Sequence, residues 1–214
     1  MTADTRVFAA PRARLAALRA ELDAAPSPRW EALAAWRLLA SNTLRAREGR
    51  AGWDRANALI ARALEADETP SVALAARLHA ELGTGHATDP STLRTEPVFA
   101  ADERYLAPEE IADRLAELDA ALGDAADALE AAFRAYVGVV TIHPFPNGNG
   151  RAARLLADYV LMKDAWLPLC FASPVASHVA RTYNGASRSV EGSFGVFADG
   201  VANAYLAVTK PARS

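Results

Sequence analysis

Between two apolar helical stretches the chain reads His143-Pro144-Phe145-Pro146-Asn147-Gly148-Asn149-Gly150-Arg151-Ala152-Ala153-Arg154. No other segment constrains the fold as tightly. Pro144 and Pro146 fix φ, offer no N–H, and push the residue before each of them away from helical angles, so the preceding helix must stop. Gly148 and Gly150 permit backbone angles and close approaches that other residues resist. Helical periodicity then resumes, with Leu155, Leu156, Tyr159 and Val160 on one side. A helix, a tight loop and a second helix must therefore follow one another directly.

The rest of the chain is patterned mainly for helix. Leu15, Leu18 and Leu22 form a stripe three and four apart between Ala10 and Ala24. Ser27-Pro28 reads as an N-cap with proline at the first helical position, opening a helix with Trp30, Leu33, Trp36 and Leu39 that runs to about Arg47. Gly49 and Gly52 read as breaks, and the pattern resumes from Asp54 to Ala66. Thr69-Pro70 opens a helix closed by Gly83. Ile111, Leu115, Leu118 and Leu122 make the apolar face of another, with Glu109 and Glu110 in its first turn, where the helix dipole favours acids. Asp124 to Ile142 is a longer, largely apolar helix, and further helices fit Pro174 to Asn184 and Ser193 to Val208. Only residues 98–106 suggest β structure: Val98-Phe99 and Tyr105-Leu106 flank a polar stretch as in a short hairpin. The expected fold is all-α with a small β-hairpin, divided into an N-terminal helical extension, 1–82, packed on a core, 83–214.

Composition excludes several classes. The chain has 214 residues, 51% hydrophobic and 23% charged, enough for a hydrophobic core and unlike a disordered chain. Its single cysteine, Cys170, cannot form an internal disulfide and reads as a small buried hydrophobe. A net charge of −3 offers no global basic field for nucleic acid or anionic lipid. No signal segment and no apolar run of membrane-spanning length is visible, so the expected location is cytoplasmic, with signal-less export compatible. His79, His86 and His178 show no metal-ligand spacing, and the four tryptophans read as packing anchors.

Chemistry concentrates in residues 143–154. A glycine-rich loop entering a helix N-terminus is an anion site, because unpaired N–H donors and the positive end of the dipole converge there. Arg151 and Arg154, three apart, can reach one bound anion, and guanidinium suits phosphate geometry. His143, at the other rim, can accept a proton from an incoming hydroxyl. Each piece alone has a duller reading: a structural histidine, a turn, a solvated basic face. Together they supply base, anion nest and cations in order within one short stretch.

The stretch resembles the Fic motif, H-x-F-x-[D/E]-G-N-G-R-x-x-R, at His143, Phe145, Gly148, Asn149, Gly150, Arg151 and Arg154. The approach to Arg94, the hairpin and the Pro-Glu-Glu helix start also resemble a Fic core, over about residues 85–205. The resemblance implies a Fic-like catalytic core over 83–214 and a protein adenylyltransferase that moves AMP from ATP to a Ser, Thr or Tyr hydroxyl of a target protein. It implies His143 as general base and Phe145 as the loop's anchor in the core. Gly148, Asn149, Gly150, Arg151 and Arg154 would hold the phosphates. Phe99, Asp102, Tyr105 and Leu106 would belong to a flap that aligns the target by strand addition. Tyr183 and Asn184 would line a base pocket. No nucleic-acid or membrane partner is expected, and a homodimer is compatible.

Two departures stand out. Asn147 replaces the family's acidic Mg²⁺ ligand, and an amide offers only a neutral carbonyl oxygen. That leaves open weak Mg²⁺ binding through Asn147 itself, another phosphorus-containing transfer (UMP, phosphate or phosphocholine), a small-molecule acceptor, or a nucleotide- or partner-binding module without turnover. In many Fic proteins a [S/T]-x-x-x-E-[G/N] helix inhibits. Here Ser41 to Ala46 would be its degenerate counterpart, with Arg45 at the glutamate's position. The literal match at Ser187 to Gly192, with Glu191, reads mostly as coincidence.

Overall fold

A computed structural model of the chain describes residues 9–25, 33, 47–83, 92–100, 103–171 and 190–209. Its elements are α1 (Ala9–Asp23), α2 (Arg47–Glu65), α3 (Val72–Leu82), β1 (Phe99–Ala100), β2 (Glu103–Arg104), a 3₁₀ turn (Pro108–Glu110), α4 (Ile111–Gly123), α5 (Ala128–Ile142), α6 (Asn149–Lys163) and α7 (Val190–Thr209). They fall into two compact units: Thr43–Ala165, and Met1–Asn42 together with Trp166–Ser214. The helices α2 to α6 all lie in the unit Thr43–Ala165.

Within the unit 43–165, α5 packs along α6, α3 lies against both α2 and α6, and α4 covers α5. Apolar side chains at helical spacing build its centre: Ile60, Leu74, Leu78, Leu82, Tyr136, Leu155, Leu156 and Tyr159 are buried, and so is Trp53. The start signals are local. Ser71 caps α3 by accepting from the Leu74 N–H at 3.2 Å, and Asp127 caps α5 by accepting from the Glu130 N–H at 2.8 Å. The α5 pattern begins four residues earlier in sequence, at Asp124, whereas the helix starts after Asp127, whose carboxylate makes the capping bond. Gly83 closes α3 in the left-handed region, φ 58°.

Gly52 corrects the sequence reading. It lies inside α2, which runs unbroken through Gly49 and Gly52. A Cβ at Gly52 would stand 2.1 Å from the Leu82 carbonyl oxygen. The glycine is an approach point for the end of α3 rather than a break, and tertiary contact outweighs its poor helix propensity. At the far end of α6, the Tyr159 hydroxyl donates to the Glu68 carbonyl. Lys163 donates to the Asp67 and Glu68 carbonyls, at 2.9 Å each, and pairs with the Asp67 carboxylate. These bonds tie α6 to the turn between α2 and α3.

The β-hairpin expected at 98–106 is not seen as such. Among the described residues the β structure is one antiparallel rung pair, Phe99 with Arg104 and Ala100 with Glu103, extended by Tyr105 N–H donating to Val98 C=O at 3.1 Å. Residues 101 and 102, between the strands, lie outside the described ones. Among the described residues the fold is all-α in character.

In the other unit, α1 packs along α7, and Arg14 pairs with Asp199 at 2.6 Å. Leu33, Cys170, Ala204 and Val208 cluster there, and Cys170 is fully buried as expected of a small hydrophobe. Among the described residues no helix is long and apolar enough to cross a membrane.

Candidate functional site

The site is the loop from α5 to α6. His143 is the C-cap of α5, in the left-handed region at φ 52°, with its N–H donating to the Val139 carbonyl at 3.0 Å. A non-glycine residue in that region signals that surrounding contacts hold it there. The ring is fixed as well. Nδ1 lies 3.3 Å from the Val140 carbonyl oxygen, which can only accept, so Nδ1 donates there, and in the neutral imidazole the lone pair is on Nε2. The Tyr105 ring stacks on the imidazole with centroids 3.9 Å apart.

Phe145 is buried, as expected, and its anchoring has two parts. The buried Asn149 side chain accepts from the Phe145 N–H at 2.9 Å and donates to the Phe145 carbonyl at 2.7 Å. Both ends of the amide are thus spent on the loop's own backbone. His79 of α3 stacks flat on the Phe145 ring, centroids 3.9 Å apart, and its Nε2–H donates to the Asn147 carbonyl at 2.8 Å. His79 is buried and stands 68 residues before Asn147. No local spacing ties it to the loop, so in the sequence it reads as one of the scattered histidines.

Gly148 is the N-cap of α6 at φ 79°, an angle that favours glycine. Its carbonyl accepts from the Arg151 and Ala152 N–H groups at 2.9 and 3.0 Å. The N–H groups of Asn149 and Gly150, at the very start of α6, have no intrahelical acceptor by helix geometry. Arg151 sits half-buried beside them, and burial pushes its guanidinium below its ordinary pKa. Among the described residues no acidic side chain pairs with Arg151. A desolvated cation without a counter-charge, at the positive end of a helix, is a place where an anion gains on both counts. Arg154, one turn on, is also half-buried.

At the expected metal position stands Asn147. Its amide oxygen accepts from the Gly148 N–H at 2.7 Å, and it is a neutral donor. Among the described residues there is no group of three His, Cys, Asp or Glu that could hold a metal ion. The residues present do not fit Mg²⁺ on their own.

Of the expected flap residues, Phe99 is 64% exposed, the one large exposed hydrophobic among the described residues, while Tyr105 and Leu106 are partly buried. Asp102, the base-pocket pair Tyr183 and Asn184, the degenerate inhibitory residues Ser41 and Arg45, and residues 187–189 lie outside the described ones. The structure thus brings His143, Tyr105, Gly148, Asn149, Gly150, Arg151 and Arg154 into one loop-and-helix assembly.

The helices and the loop define a class. Residues 69–161 match the Fic/DOC family model, and the chain carries a Fic/DOC family domain. Its relatives include the protein adenylyltransferase fic-1 of Caenorhabditis briggsae, 34% identical over 92 residues, which is 41% of this chain and 18% of that protein. The match thus spans under a fifth of that relative, and the homology is distant. Among solved structures, a Fic domain containing signaling protein from Bacteroides thetaiotaomicron superposes with a TM-score of 0.68 at 18% identity, over 91% of this chain and 95% of that one. Fic-1 of Caenorhabditis elegans, residues 134–508, gives 0.68 at 20% identity, over 94% and 72%. At that identity these two establish the helical fold.

Proposed function

We propose that this chain is a Fic-type transferase that moves AMP from ATP to a hydroxyl side chain of a target protein. The observation that carries the reading is Arg151: a half-buried guanidinium with no acidic partner among the described residues, at the N-terminus of α6, one loop away from an oriented imidazole. In this reading the Asn149 and Gly150 N–H groups, Arg151 and Arg154 hold the α-, β- and γ-phosphates. The Nε2 lone pair of His143 takes the proton of the target hydroxyl as its oxygen attacks the α-phosphorus. The bond from that phosphorus to the bridging oxygen breaks, and pyrophosphate leaves. The rungs around Phe99 to Leu106 align the target segment, and Tyr183 and Asn184 line the base pocket. A further structure of the same fold, IbpAFic2, was solved tethered to Cdc42, which supports a protein as the acceptor. With Arg45 in place of a glutamate, the N-terminal inhibitory helix would lack its brake.

One observation favours a second reading. The Asn147 amide oxygen accepts from the Gly148 N–H and is neutral, so metal stabilisation of the leaving pyrophosphate should fall. A nucleotide-binding module with slow or no transfer is consistent with that. Incubation of the protein and a cell lysate with ATP labelled at the α-phosphate separates the two. The transferase reading expects label on protein, lost in His143→Ala. ATP binding with no transfer, unchanged in Asn147→Asp, would replace it by the binding module.

A further inference from the structure

Arg94 is 4% exposed, yet each of its bonds goes to a carbonyl oxygen. Its backbone N–H donates to Pro144 at 2.8 Å. Nε donates to the His143 carbonyl at 2.7 Å and one terminal nitrogen to Glu96 at 3.0 Å. The other terminal nitrogen donates to Leu106 and, at 3.5 Å, to Ile142. Among the described residues no carboxylate pairs with it, and burial pushes its pKa down. A buried cation without an acid is costly unless something else offsets the charge. Here the offset is the end of α5: the Ile142 and His143 carbonyls have no intrahelical donor, and they form the negative end of the helix dipole.

The same guanidinium reaches in a second direction. By holding the Leu106 carbonyl it secures the residue next to Tyr105, whose ring stacks on His143. Three segments therefore meet on one planar group: the end of α5, the start of the motif loop and the stretch leaving β2. Lysine cannot reproduce this, because one ammonium lacks the fork that spans them.

We propose that Arg94 is the positioning residue for His143, fixing its carbonyl in the left-handed turn and setting Tyr105 against its ring. The inference rests on reading His143 as the proton acceptor in the transfer. Arg94 contacts no reacting atom in this reading and acts through the imidazole alone. Its loss should therefore lower kcat and leave nucleotide binding intact.

The test uses the full chain with Arg94→Met and Arg94→Lys. It measures transfer kinetics with labelled ATP and, separately, the rate at which diethyl pyrocarbonate modifies His143, read by peptide mass spectrometry. Misplacing a catalytic group by about 1 Å costs about 100-fold in rate, so Arg94→Met is expected to lose about that much kcat. KM for ATP should stay within about twofold. Arg94→Lys should recover only part of the rate, and His143 modification should accelerate severalfold in both variants. A folded Arg94→Met with wild-type kcat, or one whose loss lies in KM alone, overturns the proposal. If Arg94→Met does not fold, wild-type kcat in Arg94→Lys overturns it equally. If the wild type transfers nothing, the transferase reading fails by itself. The modification rate then decides the positioning role: unchanged reactivity in both variants overturns it.

Discussion

Replacing Asn149 by alanine tests which surface of the motif asparagine does its work. The side chain makes two bonds, at 2.9 and 2.7 Å, to the N–H and the carbonyl of Phe145. Phe145 and Asn149 are each 1% exposed, so water cannot readily replace the lost partners. An orphaned buried polar group costs about 1–3 kcal/mol, so the pair amounts to about 2–6 kcal/mol. Alanine returns a few tenths through helix propensity at the start of α6. Taking about 4 kcal/mol, and about 2–4 °C of Tm per kcal/mol for a chain of this size, Asn149→Ala should melt about 8–16 °C lower. Thermal unfolding followed by circular dichroism, with and without ATP, measures both this drop and the stabilisation by nucleotide. Asn149→Asp keeps an acceptor for the Phe145 N–H but sets a carboxylate oxygen against the Phe145 carbonyl, so it should be no more stable than alanine. The reasoning fails if Asn149→Ala melts within about 2 °C of wild type while losing the ATP-induced shift. The side chain would then act on the nucleotide and not on the loop.

Two further outcomes follow from the packing and the ion pairs. Gly52→Ala places a Cβ 2.1 Å from the Leu82 carbonyl oxygen, and neither backbone can yield cheaply. It should cost about 1–3 kcal/mol in urea unfolding, whereas Gly123→Ala, with nothing within 4 Å, should stay within about 1 kcal/mol of wild type. Gly52→Ala as stable as Gly123→Ala would show that α2 and α3 do not approach as described. The Lys163 ammonium holds the Asp67 carboxyl below its ordinary value of 3.8, first by hydrogen bonding and then by charge, and Asp67 in turn holds Lys163 above 10.5. A depressed carboxyl stabilises the fold above its unfolded pKa, and this is lost as pH falls through the folded one. A raised ammonium stabilises below its unfolded pKa, and this is lost as pH rises through the folded one. Lys163→Met should therefore flatten the stability profile at both ends, below about pH 3.8 and above about pH 10.5, with a smaller effect in high salt because Asp67 is exposed. An unchanged profile in low salt would mean that the pair contributes nothing.

Much of the site was legible because its signals are local. Two prolines, two glycines and a resumed apolar pattern set a helix, a loop and a helix around His143 to Arg154, and the structure has α5, the loop and α6 there. The cap at Gly83 is likewise decided by residues a few positions apart, whereas α3 starts after Ser71 and not at Thr69-Pro70. Other expectations failed where a distant partner decided the matter. Gly52 reads as a helix break until the Leu82 carbonyl stands against it.

The order of base, glycine nest and arginines is written in the chain itself, since helix stops, helix starts and turn conformations depend on neighbours within about one turn. What the chain could not announce is what steadies that order. His79 lies 68 residues from the loop carbonyl it supports, and Arg94 lies 49 residues from the carbonyl of His143. Such bonds carry no periodic trace. They exist only once α3, α5 and α6 pack and leave buried carbonyls that need donors, so tertiary structure alone chose them.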